Sequence, residues 1–228
     1  GGDCTSEETQ KWTRELVAEI PWRRERIDLP PEPVFPEQPQ TAEIALPREQ
    51  TMVIRAVPGP ALNDGRLSMC EILFQAENGL SSPIFKLVRE ENSLAYSTGM
   101  RLSGGFHPGW LLFYAVTTAE SAERALELLG SEQKRLAVNG LSETEFDAAR
   151  EGAAFTAARG AESVAAALNS TLLSLHYGRD LNECFRHEAE LRNTGREELN
   201  ALLASYLSNP AAVRVLAGRL PNRKETEK

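Results

Sequence analysis

Histidines, cysteines and carboxylates carry most of the reactive chemistry open to a polypeptide, and the three histidines here are His107, His176 and His187. A metal centre needs such ligands to converge, yet neither H-x-x-E-H nor H-x-x-H spacing occurs. Glu183 and His187 stand one helical turn apart, and His176 joins them only if the turn at Gly178 folds back, so surface or helix-end histidines are the expectation. Cys4, Cys70 and Cys184 are an odd number without C-x-x-C spacing, which predicts buried free thiols in place of a disulfide framework or thiolate zinc site. No G-x-S-x-G elbow, P-loop or dinucleotide fingerprint is present, so nucleophile and nucleotide chemistry have no local signature.

Any site must therefore be placed by ordinary globular structure. The chain has 228 residues, 41% hydrophobic and 25% charged, enough to bury about 70–75% of its unfolded surface. No apolar run approaches the ~20 residues that span a bilayer. A net charge of −8 repels phosphate backbones, which argues against a nucleic-acid partner.

Periodicity divides the chain into an ordered series. Residues 5–20 predict a helix with a Thr5-x-x-Glu8 capping box and an apolar face of Trp12, Leu16, Val17 and Ile20, ended by Pro21. The five prolines of 30–39 predict an extended linker, preceded by a basic run, Arg23, Arg24 and Arg26, expected on a solvated edge. Residues 42–46 and 51–57 predict two strands joined by a turn, the second stopped by Pro58-Gly59-Pro60. Helices are expected from 64 to about 78 and from Ser82-Pro83 onward, then antiparallel strands over 95–102 and 110–117. Five helices fill 119–208, with Ser142-x-x-Glu145 as a second capping box, before a last strand over 212–217. The pattern predicts an α+β fold, an antiparallel sheet with helices packed on one face. The chain start, Gly1-Gly2-Asp3 leading straight into a helix, rhymes with the strand-to-glycine end at Gly218, so a preceding domain of the same kind is expected. The division expected is 1–22 as a terminal helix from that preceding unit, 23–40 as linker, 41–220 as the α+β domain and 221–228 as a polar tail.

The most distinctive run is Asn78-Gly79-Leu80-Ser81-Ser82-Pro83-Ile84-Phe85-Lys86-Leu87-Val88-Arg89-Glu90-Glu91-Asn92-Ser93-Leu94-Ala95-Tyr96-Ser97. It resembles the G-G-x-S-S-R-L-F-x-x-L-R-E-x-x-G-L-A-Y-S run in the C-terminal half of the pitrilysin/insulinase-like zinc metallopeptidases, the inverzincins. Asn78 stands for the first glycine, Pro83 for the arginine and Ser93 for the glycine before Leu94. The order of the flanking elements matches as well.

The resemblance implies one half of a two-half, clam-like zinc peptidase, with the H-x-x-E-H zinc site on the other half or on a partner subunit and a peptide substrate bound between them. Zinc then belongs to the complete enzyme and this chain alone binds none and is inactive. By motif position Arg89 and Tyr96 are the catalytic candidates, reaching toward the substrate near the metal. Water attack on a peptide carbonyl builds negative charge on oxygen, which a phenol or guanidinium donor stabilises in the transition state. The other class open to the same family is a non-catalytic scaffold or peptide-binding member.

Overall fold

The computed structural model describes residues 2–21, 28, 30–209 and 212–220; Gly1, the basic run Arg23, Arg24 and Arg26, and the 221–228 tail lie outside the described residues. Helix α1 (Ser6–Ala18) is set by its capping box: Glu8 N–H donates to Thr5 Oγ1 at 3.2 Å and Thr5 N–H to the Glu8 carboxylate at 2.8 Å. Nothing in α1 is buried, and Trp12, Leu16, Val17 and Ile20 all face solvent. The proline-rich stretch 30–39 carries no helix or strand, as its missing donors dictate. It is nonetheless tied down, with Pro30 O 2.8 Å from His107 Nε2 and the Phe35 ring edge-on to Trp110 at 4.9 Å.

Five strands, β1 (Gln40–Ala45), β2 (Gln50–Gly59), β3 (Ala95–Ser103), β4 (Gly109–Thr118) and β5 (Val213–Gly218), form one sheet in the order β1-β5-β2-β4-β3. The α+β class is as the sequence predicts, with one pairing different. β5 enters between β1 and β2 and runs parallel to β1, so the sheet is mixed and not wholly antiparallel. Gly218 permits the insertion: its φ is 135°, and a Cβ there would collide with the Gln50 carbonyl oxygen. β2 also outlasts its predicted stop, running through Pro58 and Gly59. β5 pairs with β2 only as far as Ala56, so at Pro58 β2 is flanked by β4 alone, an edge position of the kind where proline is tolerated.

Helices α2 (Leu67–Glu77), α3 (Pro83–Phe85, widening into a π-helical segment over Lys86–Glu91), α4 (Ala122–Asn139), α5 (Glu143–Gly160), α6 (Val164–His176), α7 (Glu183–Asn193) and α8 (Arg196–Leu207) complete the chain. Alternation along the strands sends Val53, Val57, Leu111, Phe113 and Ala115 into the core, where Leu126 and Leu129 of α4 and Leu199 and Leu203 of α8 join them. Truncating a fully buried ring such as Phe113 to alanine costs about 3–5 kcal/mol. α5 packs outward of this layer against α2 and α7. α6 leaves much of its apolar side open: Ser174 is its one buried residue, while Val164, Leu168, Leu172 and Leu175 are exposed.

Candidate functional site

The distinctive run folds as a helix-to-strand corner. Ser82 caps α3, its side chain accepting from Phe85 N–H at 3.2 Å, and Pro83 takes the first helical position, where its lack of an N–H is harmless. Proline in place of the family arginine is thus a helix-starting residue. The turns widen over Lys86–Glu91, a geometry found mostly as single insertions at functional places. Asn92 Nδ2 then donates to Leu87 O at 2.7 Å, and Ser93, at φ 54°, makes the left-handed step into β3 that the family assigns to glycine.

β3 begins with a bulge. Ala95 pairs with Thr117 and Ser97 with Val116, so Tyr96 is the extra residue. The two residues implied by the resemblance meet here: Arg89 Nη1 donates to Tyr96 O at 2.8 Å, and the guanidinium lies 5.1 Å from the ring centroids of both Tyr96 and Phe85. Tyr96 is 75% exposed. The corner borders a cleft of ≈ 390 Å³ lined by Gln50, Arg89, Ser93, Tyr96, Val116 and Thr118. Arrays of neutral and cationic donors with no carboxylate among the lining residues suit an electron-rich ligand such as a peptide carbonyl.

Two residues that sequence reasoning did not assign to the site support it. Phe85 supplies a second ring against the Arg89 guanidinium, a contact its i, i+4 spacing allows. Asn78 clips β3 with its side-chain amide, accepting from Met100 N–H at 3.0 Å and donating to Met100 O at 3.0 Å and Phe74 O at 2.8 Å. A Cβ at Gly99 would collide with that amide oxygen, which accounts for the glycine. The departure of Asn78 from the family glycine is the visible signal of this clip.

The other reactive side chains form no comparable site. His187 is not a surface residue: its Nε2 lies 2.7 Å from Glu71 on α2, and that hydrogen bond, opposed by partial burial, raises its pKa above the usual histidine value. Glu183 is engaged by Arg179 and Ser174 at 3.0 Å each, and His176 packs its ring against Phe106 and Tyr177. All three cysteines are free, but only Cys70 is fully buried, and burial pushes its thiol up to about 12; Cys4 and Cys184 are half-buried. Among the described residues no group of three or more His, Cys, Asp or Glu side chains could hold a metal ion. The donor set of the described residues therefore does not fit a zinc centre.

A five-stranded mixed sheet backed by helices is a fold shared with solved peptidase domains. A peptidase M16 inactive domain from Pseudomonas fluorescens superimposes with a TM-score of 0.82 at 19% identity, covering 99% of this chain and 53% of that one. A protease from Helicobacter pylori gives 0.82 at 14% identity over 94% of this chain and 53% of its own. The periplasmic protease PqqL from Escherichia coli gives 0.73 at 17% identity over 96% of this chain and 24% of its own. The chain thus spans about half the length of the first two and about a quarter of the third. No curated protein matches it. The sequence matches the family described as Peptidase M16 inactive domain over residues 1–153, and the chain belongs to that family.

Proposed function

We propose that this chain is the non-zinc half of a zinc-dependent endopeptidase or oligopeptidase, and that its Arg89–Tyr96 corner supplies hydrogen-bond donors to a peptide held against a zinc site on a homologous half or partner subunit. The observation that carries the reading is Tyr96, a braced phenol 75% exposed at the mouth of a cleft. A packing tyrosine would bury its ring and find a partner for its hydroxyl. A phenol held toward solvent at a fixed place is instead a donor waiting for an acceptor. When a peptide carbonyl becomes tetrahedral its oxygen gains charge, and a donor aimed there binds the transition state more tightly than the substrate.

The same proposal covers domain organisation. Residues 1–22 belong with the preceding half, 23–40 connect, and 41–220 form the domain. The exposed apolar side chains of α1 and α6 support a neighbouring domain, since exposed apolar surface marks contact sites.

The test is the complete protein, with its zinc-bearing half, assayed for chelator-sensitive peptide cleavage in wild type and Tyr96→Phe. The variant keeps the ring and loses only the hydroxyl. Loss of one aimed donor lowers kcat about 10²- to 10³-fold, or roughly 3–4 kcal/mol, with an unchanged melting temperature. Wild-type kcat/KM in the variant overturns the role of Tyr96. Tight association of the halves without cleavage supports the scaffold member of the family in its place.

A further inference from the structure

We infer that Arg89 is a positioning residue: it fixes Tyr96 in the bulge, and the Tyr96 hydroxyl is the group this corner offers to a bound peptide. The inference rests on the reading above and divides the labour within it.

Strand pairing leaves Tyr96 in need of a partner. Tyr96 is the residue skipped between the Ala95–Thr117 and Ser97–Val116 pairs, and a bulged residue is left outside the strand pairing. β3 is the last strand of the sheet, so no neighbouring strand can take the orphaned carbonyl. Arg89 Nη1 takes it, at 2.8 Å. The same guanidinium has the Phe85 ring and the Tyr96 ring each 5.1 Å away. Arg89 thereby holds Tyr96 at two points, backbone oxygen and ring. To donate that N–H to a ligand it would have to release the carbonyl it secures.

The strand edge is clamped a second time at Met100. Asn78 occupies both the N–H and the C=O of Met100, at 3.0 Å each. Only Thr98 lies midway between the two clamps. One residue's backbone groups do not make a ladder, so an extended peptide arriving here cannot add to β3 as a new strand. It meets side-chain donors, among them the Tyr96 phenol on a side chain 75% exposed.

The first experiment uses the 228-residue chain with ¹³C-labelled tyrosine rings, whose four tyrosines are sorted by the signal lost in Tyr96→Phe. In Arg89→Ala the Tyr96 ring signals move to values of an unconstrained tyrosine while those of Tyr114, Tyr177 and Tyr206 stay in place. Arg89→Lys, which keeps one donor for the carbonyl but cannot stack as a plane, restores part of the shift. Unmoved Tyr96 signals in Arg89→Ala overturn the inference whatever the protein's activity. The second experiment measures kcat and KM in the complete protein for Arg89→Ala, Tyr96→Phe and the double variant. Arg89→Ala lowers kcat 10-fold or more in the wild-type background and less than 2-fold in the Tyr96→Phe background, because its effect passes through the hydroxyl. Fully multiplicative losses show that Arg89 meets the substrate by itself and overturn the assignment. An inactive wild-type protein removes the proposed peptidase function, while the ring signals still decide the positioning role.

Discussion

Two arginines organise two polar clusters in this molecule, and they differ in what is left over. Arg89 sits at the surface with one acceptor and two rings, so the surplus at that corner is in donors, the Tyr96 hydroxyl and the remaining guanidinium N–H groups. Arg135 of α4 sits half-buried among three carboxylates, at 2.7 Å from Glu132, 3.2 Å from Glu145 and 3.5 Å from Glu77, so the surplus there is negative charge. Glu77 is fully buried, and its pKa is pushed well above the usual carboxylate value, first by burial and next by the charge of Glu132. The perturbed titration therefore lies in the interior that joins α2, α4 and α5, while the corner proposed to meet a ligand is exposed. Strong pKa perturbation points to functional sites only as a probability, and here it marks architecture.

The largest way to break that comparison is to remove the interior cation. Arg135→Met keeps length and apolar bulk but leaves Glu77 and Glu132 facing each other without a counter-charge. Breaking a buried pair from one side costs about 3–5 kcal/mol, and the 30% exposure of Arg135 places the expected loss near the lower bound. Denaturant unfolding measures it. A loss under about 1 kcal/mol would mean that the carboxylates protonate without penalty and that the cluster is not what fastens the three helices.

Glu77 sharpens the same point through pH. Its folded-state pKa lies above its unfolded value, so the folded chain holds the proton longer than the unfolded one. Stability from this group is full below the ordinary carboxylate range and is lost as pH rises through the elevated value, about 1.4 kcal/mol for each tenfold gain in proton affinity on folding. Glu77→Gln holds no titrating proton, so it matches wild type near pH 4 and exceeds it at pH 8. Parallel stability curves for the two proteins across that range would show Glu77 ionising normally in the fold.

The two clusters were also unequally legible. Helix starts and the α+β class followed from local rules, as Thr5-Glu8 and Ser142-Glu145 show: each capping box is made by residues three apart. Arg89 and Tyr96 stand out as candidates because they sit inside a recognisable run. Glu77, Glu132, Arg135 and Glu145 gave no such signal, since tertiary packing of three helices brings them together and each looks in sequence like an ordinary solvated charge. The parallel β1–β5 pair was hidden for the same reason, because the first and last strands of a domain are matched by topology and not by any local pattern.

The smallest effect concerns Ser93, where the two regions can be told apart by strain alone. A non-glycine residue in the left-handed region costs about 1–2 kcal/mol, and Ser93 adopts it at φ 54°. Glycine would relieve that cost but give the unfolded chain more freedom, worth about 0.4–1 kcal/mol in the opposite direction. Ser93→Gly should therefore stabilise by about 0.5 kcal/mol, which for a chain of 228 residues raises the melting temperature by about 1–2 °C. The Tyr96 ring signals should not move, because the corner is held by the Arg89 hydrogen bond, the two flanking rings and the Asn78 clip, none of which involves the Ser93 side chain. If the melting temperature rises while the Tyr96 signals shift toward an unconstrained ring, the strain at Ser93 is itself part of the brace. Rigidity at the corner would then come from the backbone turn as much as from Arg89.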